Sequence, residues 1–131
     1  WGVVNRSRVL VYKLGGTDSL PPPPEDQRSM PKPGPVTADA ATVQRGQVVY
    51  QRHCSYCHGD GLRTGGVTPD LRWSSANVHD MWQDIVRGGT LKALGMVSFR
   101  DYVSESEAEA VRQYVLAEAN RRYAELNPPP E

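Results

Sequence analysis

The residues best suited to chemistry in this chain are two cysteines three positions apart with a histidine directly after them, Cys54-Ser55-Tyr56-Cys57-His58. On a turn of helix, thiols at i and i+3 face the same side. Both sulfurs can then reach one edge of a flat ligand while the adjoining imidazole swings beneath its centre. That arrangement suits covalent attachment of one haem c through two thioethers, with His58 as the proximal iron ligand. A thioredoxin-like redox pair and half of a zinc site compete for the same residues. A zinc centre needs a fourth ligand, and only His53 and His79 remain among the histidines; the strand and helix alternation of a thioredoxin is absent.

A haem iron held by His58 needs a second axial ligand. Met30 lies among prolines, Met81 lies within a short helical pattern, and His53 adjoins Cys54 too closely to reach the opposite face. Met96, in the loop Leu94-Gly95-Met96-Val97, can lay a thioether over the far side without distorting a helix, and His79 is its rival. With both axial positions filled, the expected chemistry is electron transfer. Pro69 is expected to supply the carbonyl that fixes the His58 ring. Leu71, Trp73, Trp82, Ile85 and Phe99 are expected to wall the pocket, although ordinary core packing leaves the same trace. Arg72 and Arg87 suit haem propionates, with solvated surface arginines as the alternative.

These residues must be positioned by helices. Thr37 or Asp39 can cap a first helix whose stripe runs through Val43, Gly46 with Gln47, Tyr50 and Cys54. Residues 59–77 read as loop, a short helix spans Val78 to Arg87, and Gly88-Gly89 stops it. Ser104-Glu105-Ser106-Glu107 has the form of a capping box and opens the longest helix, to about Tyr123, with Val111, Tyr114, Val115 and Ala119 on its apolar stripe. Ahead of these helices, residues 3–14 are rich in β-branched types and read as a strand, for which the rest of the chain offers no partner. Prolines at 21–24, 31, 33 and 35 then favour an extended linker. The expected organisation is a strand in 1–16, a linker in 17–36, an all-α domain in 37–124 and a tail in 125–131.

Composition narrows the function classes. Lys+Arg and Asp+Glu each number 15, so no global charge draws the chain to nucleic acid or an anionic membrane. No run approaches the roughly 18 apolar residues of a membrane span. The hydrophobic fraction of 38% is low, and a packed haem would add apolar surface. The start at Trp1, without a signal-peptide pattern, fits a processed protein or a piece of a longer one.

Gly46, Tyr50, Cys54, Cys57, His58, the Thr68-Pro69-Asp70-Leu71 loop, Met96 and Tyr114 follow the order found in class I cytochromes c, which residues 37–124 resemble. The resemblance implies that the first and last helices cross at Gly46, Tyr50 and Tyr114. Arg8-Val9-Leu10-Val11-Tyr12-Lys13-Leu14-Gly15-Gly16 ahead of the prolines, with Gly95-Met96-Val97-Ser98-Phe99 before a capped helix, is similar to the C-terminal end of quinohaemoprotein alcohol dehydrogenases. In that family a propeller bearing pyrroloquinoline quinone (PQQ) precedes the cytochrome domain. The likeness implies that residues 3–14 are the last propeller strand and that alcohol oxidation lies in the missing domain. It also implies a periplasmic location, a PQQ dehydrogenase domain as electron donor, and a blue-copper protein or another cytochrome as acceptor. A free-standing diffusible cytochrome or oxidase-associated carrier, and a peroxidase-type haem enzyme with an open sixth position, are the alternatives.

Overall fold

The computed structural model of the protein describes residues 9–20, 22, 29–64 and 68–129. Its described residues form an all-α architecture, as expected of a class I cytochrome c fold. Helices α1 (Ala40–His53), α2 (Ser55–His58), α3 (Ala76–Asp80), α4 (Trp82–Val86) and α5 (Glu105–Leu126) follow one another, with 3-10 turns at Asp60–Leu62, Leu71–Trp73 and Lys92–Leu94.

Both long helices start where their side chains can replace missing intrahelical acceptors. Asp39 caps α1 by accepting from the Thr42 amide at 2.8 Å. Ser104 and Glu107 form a reciprocal capping box at the start of α5. The short helical region departs from its sequence pattern: it begins at Ala76 and breaks at Met81, whose φ/ψ of −92° and 13° separates α3 from α4. α4 ends at Val86, just ahead of the expected Gly88-Gly89 pair, where Gly89 has φ +75°.

α1 and α5 cross in direct contact. A Cβ at Gly46 would fall 1.9 Å from the Ala110 carbonyl oxygen, so only glycine lets the two backbones approach this closely. Beside this point Tyr50 and Tyr114 meet with ring centroids 5.5 Å apart and planes tilted by 54°. The core spreads from there through Val49, Leu62, Trp82, Val86, Val111 and Val115.

The other side of α5 holds the end of the proline segment. Gln113, 1% exposed, accepts from the Thr37 and Ala38 amides at 2.9 and 3.3 Å and donates to the Thr37 hydroxyl at 3.0 Å. Asn120 donates to the Gly34 carbonyl at 2.8 Å. Gln113 and Asn120 lie seven residues apart, about 10 Å along a helix. Thr37 and Gly34 lie three apart, about 9 Å in polyproline geometry. The rises match, so an extended stretch of linker runs antiparallel along the helix.

Residues 1–8, 21 and 23–28, which carry part of the expected strand and linker, lie outside the described residues. Residues 9–13 carry no regular structure, and Val9, Val11, Tyr12 and Leu14 are exposed. The strand expected there is not formed in its described part, because a ladder needs a second strand and none occurs among the described residues. The stretch 59–77, expected as loop throughout, contains two of the 3-10 turns.

Gly46→Ala forces α1 and α5 apart or strains both backbones. It is expected to lower stability by about 3 kcal/mol, measured by denaturant unfolding followed by helical circular dichroism.

Candidate functional site

Cys54 ends α1 and begins α2. Its amide donates to the Tyr50 carbonyl at 2.8 Å, and its own carbonyl accepts from the His58 amide at 2.9 Å. The cysteine motif therefore continues the helical winding of α1, with the thiols one turn apart. Gly59, at φ +78°, then reverses the chain; a Cβ there would meet the Arg63 carbonyl oxygen at 1.8 Å. The turn is tied back to α1 by Tyr50, whose hydroxyl donates to the Gly59 carbonyl at 2.7 Å.

His58 is buried, and its Nδ1 lies 3.1 Å from the carbonyl oxygen of Pro69, the residue expected to hold the ring. Burial pushes the imidazole below the usual histidine pKa, and the Pro69 contact opposes this in part. The neutral ring donates from Nδ1 to Pro69, which leaves Nε2 as an unprotonated donor atom for a metal. Thr68 braces the same loop by donating from Oγ1 to the Cys57 carbonyl at 2.5 Å.

His58 borders an apolar cleft that opens to solvent. Cys54, Pro69, Leu71, Trp82, Ile85 and Met96 share its wall. Met96 comes from the loop after the Lys92–Leu94 turn, where Gly95 is left-handed at φ +95°. Its amide donates to the Leu91 carbonyl at 3.3 Å. Beyond it, the Phe99 amide donates to the Val86 carbonyl at 2.9 Å and Ser98 Oγ donates to the Arg87 carbonyl. The thioether thus stands on a loop fastened at both ends.

Four residues expected at the cofactor do not form the cleft wall. Cys57 is exposed at the motif's outer edge. Phe99 packs on the core and meets the His53 ring edge-on at 6.5 Å. Arg87 donates to the Val103 carbonyl at 3.0 Å and pairs with Glu105 at 2.7 Å. Trp73 lies under the Arg72 guanidinium, 5.4 Å from the ring centroid. Arg72 itself is forked onto Asp70. His79, the rival axial ligand, stacks on Trp82 at 5.7 Å and is not on the wall.

The wall also includes Ser74, Val78, Val86, Leu91 and Val111, which the sequence did not single out as site residues. Val111 was legible as part of the apolar stripe of α5, and Val78 and Val86 as apolar positions of a short helix. Leu91 follows a Gly-Gly-Thr run and carried no signal.

The donor set fits a c-type haem: a neutral imidazole, a thioether and the Cys54 thiol border one apolar cleft, and Cys57 follows one turn after Cys54. Burial, with the neighbouring Cys57, raises the Cys54 thiol to about 11, so it is protonated at neutral pH. A nucleophilic redox pair needs the opposite. No group of three or more His, Cys, Asp or Glu arranged to hold a metal ion occurs among the described residues.

Residues 41–115 match the family model described as cytochrome C oxidase, cbb3-type, subunit III. The chain belongs to this cytochrome c family. It is 44% identical over 123 residues to quinohemoprotein alcohol dehydrogenase ADH IIB of Pseudomonas putida, covering 93% of this chain and 18% of that protein. It is 41% identical over 121 residues to the dehydrogenase subunit of alcohol dehydrogenase (quinone) of Gluconobacter oxydans (strain 621H), covering 92% and 16%. The solved structure of quinohemoprotein alcohol dehydrogenase ADHIIG from Pseudomonas putida HK5 superposes with a TM-score of 0.68 at 32% identity, covering 88% of this chain and 16% of that one. The chain thus spans less than a fifth of these relatives. Membership of a cytochrome c family implies haem c and electron transfer. No helix among the described residues is long and apolar enough to cross a membrane.

Trp82 joins this cytochrome domain's cleft to α5, because its indole Nε1 donates to the Ala108 carbonyl at 2.7 Å. Trp82→Phe keeps an aromatic wall but loses that bond and part of the packed volume. A cost of about 2 kcal/mol is expected in a denaturant titration.

Proposed function

We propose that this chain is a single-haem electron-transfer domain. It takes electrons one at a time from reduced PQQ in a dehydrogenase domain and passes them to an external carrier, a blue-copper protein or another cytochrome. The observation that carries the reading is the shared cleft: the His58 imidazole, oriented by the Pro69 carbonyl, and the Met96 thioether border the same apolar space beside Cys54. Cys54 and Cys57 hold the haem by thioethers, and His58 and Met96 are its axial ligands. The haem supplies one-electron redox chemistry, and histidine with methionine favours a raised potential.

The chain's own residues do three things toward this end. Pro69 fixes the His58 tautomer and ring plane. Leu71, Trp82 and Ile85 exclude water, which limits rearrangement around the iron when its charge changes. Phe99 and Arg87 act from outside the wall by fastening the Met96 loop through the Val86 contact and the Arg87 carbonyl. Trp73 serves by packing under Arg72.

The donor assignment is supported by likeness to proteins named as quinone-dependent alcohol dehydrogenases, over nearly the whole of this chain. Residues 1–16 are then the end of a preceding propeller and 17–36 its linker. A periplasmic location goes with this reading. A free-standing or oxidase-associated carrier is the second reading, favoured by the match to the family of cbb3-type oxidase subunit III.

In the haem-loaded chain, an alkaline pyridine assay is expected to show c-type haem that stays with the denatured protein. The oxidised form is expected to carry a weak far-red sulfur-to-iron band, which Met96→Ala removes and His79→Ala leaves. Loss of the band in His79→Ala alone would overturn the methionine assignment. A quinone dehydrogenase domain with its alcohol is expected to speed reduction at least tenfold. No acceleration would leave the carrier reading in its place.

A further inference from the structure

Arg72 is 9% exposed, an unusual position for a guanidinium, and it sits one turn from the carbonyl that orients His58. Its Nε and Nη2 donate to the two carboxylate oxygens of Asp70 at 2.9 and 2.5 Å, a bidentate fork. Asp70 Oδ1 also accepts from the Arg72 amide at 3.0 Å, which closes the cap of the Leu71–Trp73 turn. The guanidinium lies over the Trp73 ring, and the turn packs against α5. A solvated pair of neighbours in sequence is worth little, but this one is largely buried and geometrically fixed.

Pro69 and Asp70 share one peptide unit, which is planar and turns as a body. Whatever holds Asp70 therefore holds the direction of the Pro69 carbonyl, to which His58 Nδ1 donates at 3.1 Å. A hydrogen bond at that nitrogen raises the electron-donating power of the ring at its other nitrogen and so favours oxidised iron.

We propose that the Asp70–Arg72 fork is a positioning device for His58. It sets the strength of the His58–Pro69 hydrogen bond and thereby the reduction potential of the bound haem. The assignment rests on the haem reading above and gives Arg72 a task other than pairing with a propionate.

Coulomb effects and positioning make opposite forecasts for one variant. Arg72→Gln removes a positive charge near the haem, which by field alone lowers the potential, and Asp70→Asn by field alone raises it. Loosening the Pro69 carbonyl raises it in both. The test is spectroelectrochemical titration of the haem-loaded chain and its Arg72→Gln, Asp70→Asn and double variants, with Arg72→Lys as a charge-preserving control.

Each single variant is expected to shift the redox equilibrium three- to tenfold toward the reduced form, tenfold being 59 mV for one electron. The double variant is expected to shift it no further, since both act through one contact. Arg72→Lys is expected to move it the same way by less, and carries the test if Arg72→Gln does not fold. The His58 Nδ1–H proton is expected to exchange faster in every variant by nuclear magnetic resonance. An unchanged or lowered potential in the arginine variants, with haem and far-red band intact, overturns the positioning role alone. A parent chain without covalent haem overturns the cytochrome reading and this role with it.

Discussion

Where α1 crosses α5, Gly46 presents bare backbone to the Ala110 carbonyl, and the rest of the site hangs from that crossing. Along α1, Tyr50 lies one turn after Gly46, and Cys54 one turn after Tyr50. Tyr50 meets Tyr114 of α5 and ties down the turn at Gly59. The thiols and His58 are therefore held at a fixed distance from the crossing by continuous helical winding. On α5, Ala108 takes the indole hydrogen bond of Trp82 and Val111 forms part of the cleft wall. The His58 side and the Trp82 wall of the cleft thus refer back to the same pair of helices. A shift at residue 46 would move them together.

Much of this arrangement was legible in the sequence, for reasons that are local. Asp39 and the Ser104–Glu107 box act within one turn, so they can be read from spacing alone. The cysteine motif is equally local. The class resemblance placed Gly46, Tyr50 and Tyr114 at the helix crossing, and the structure has them there. The Pro69 contact spans eleven residues and was found from the need of a ligand histidine for a second partner.

What escaped depends on contacts that no periodicity encodes. Gln113 reaches back 76 residues to Thr37; on α5 it looks like an ordinary polar position. Arg72 and Arg87 were chemically apt for propionates, but Asp70 in one case and Glu105 with the Val103 carbonyl in the other engage their guanidinium groups. The break at Met81 follows no proline or glycine. Residues 9–13 have the composition of a strand without a partner, and propensity alone does not make a ladder.

α5 also settles how the domain is joined to what precedes it. At about 100° per residue, Gln113 and Asn120 lie roughly 160–180° around the helix from Val111. The linker is therefore held on the side of α5 turned away from the cleft. An extended proline segment keeps its direction over several residues, so this clamp fixes not only where the linker meets the domain but which way it leaves. Because the run is antiparallel, Gly34 lies nearer the C-terminal end of α5 than Thr37 does. The cleft and the linker clamp thus occupy opposite sides of α5.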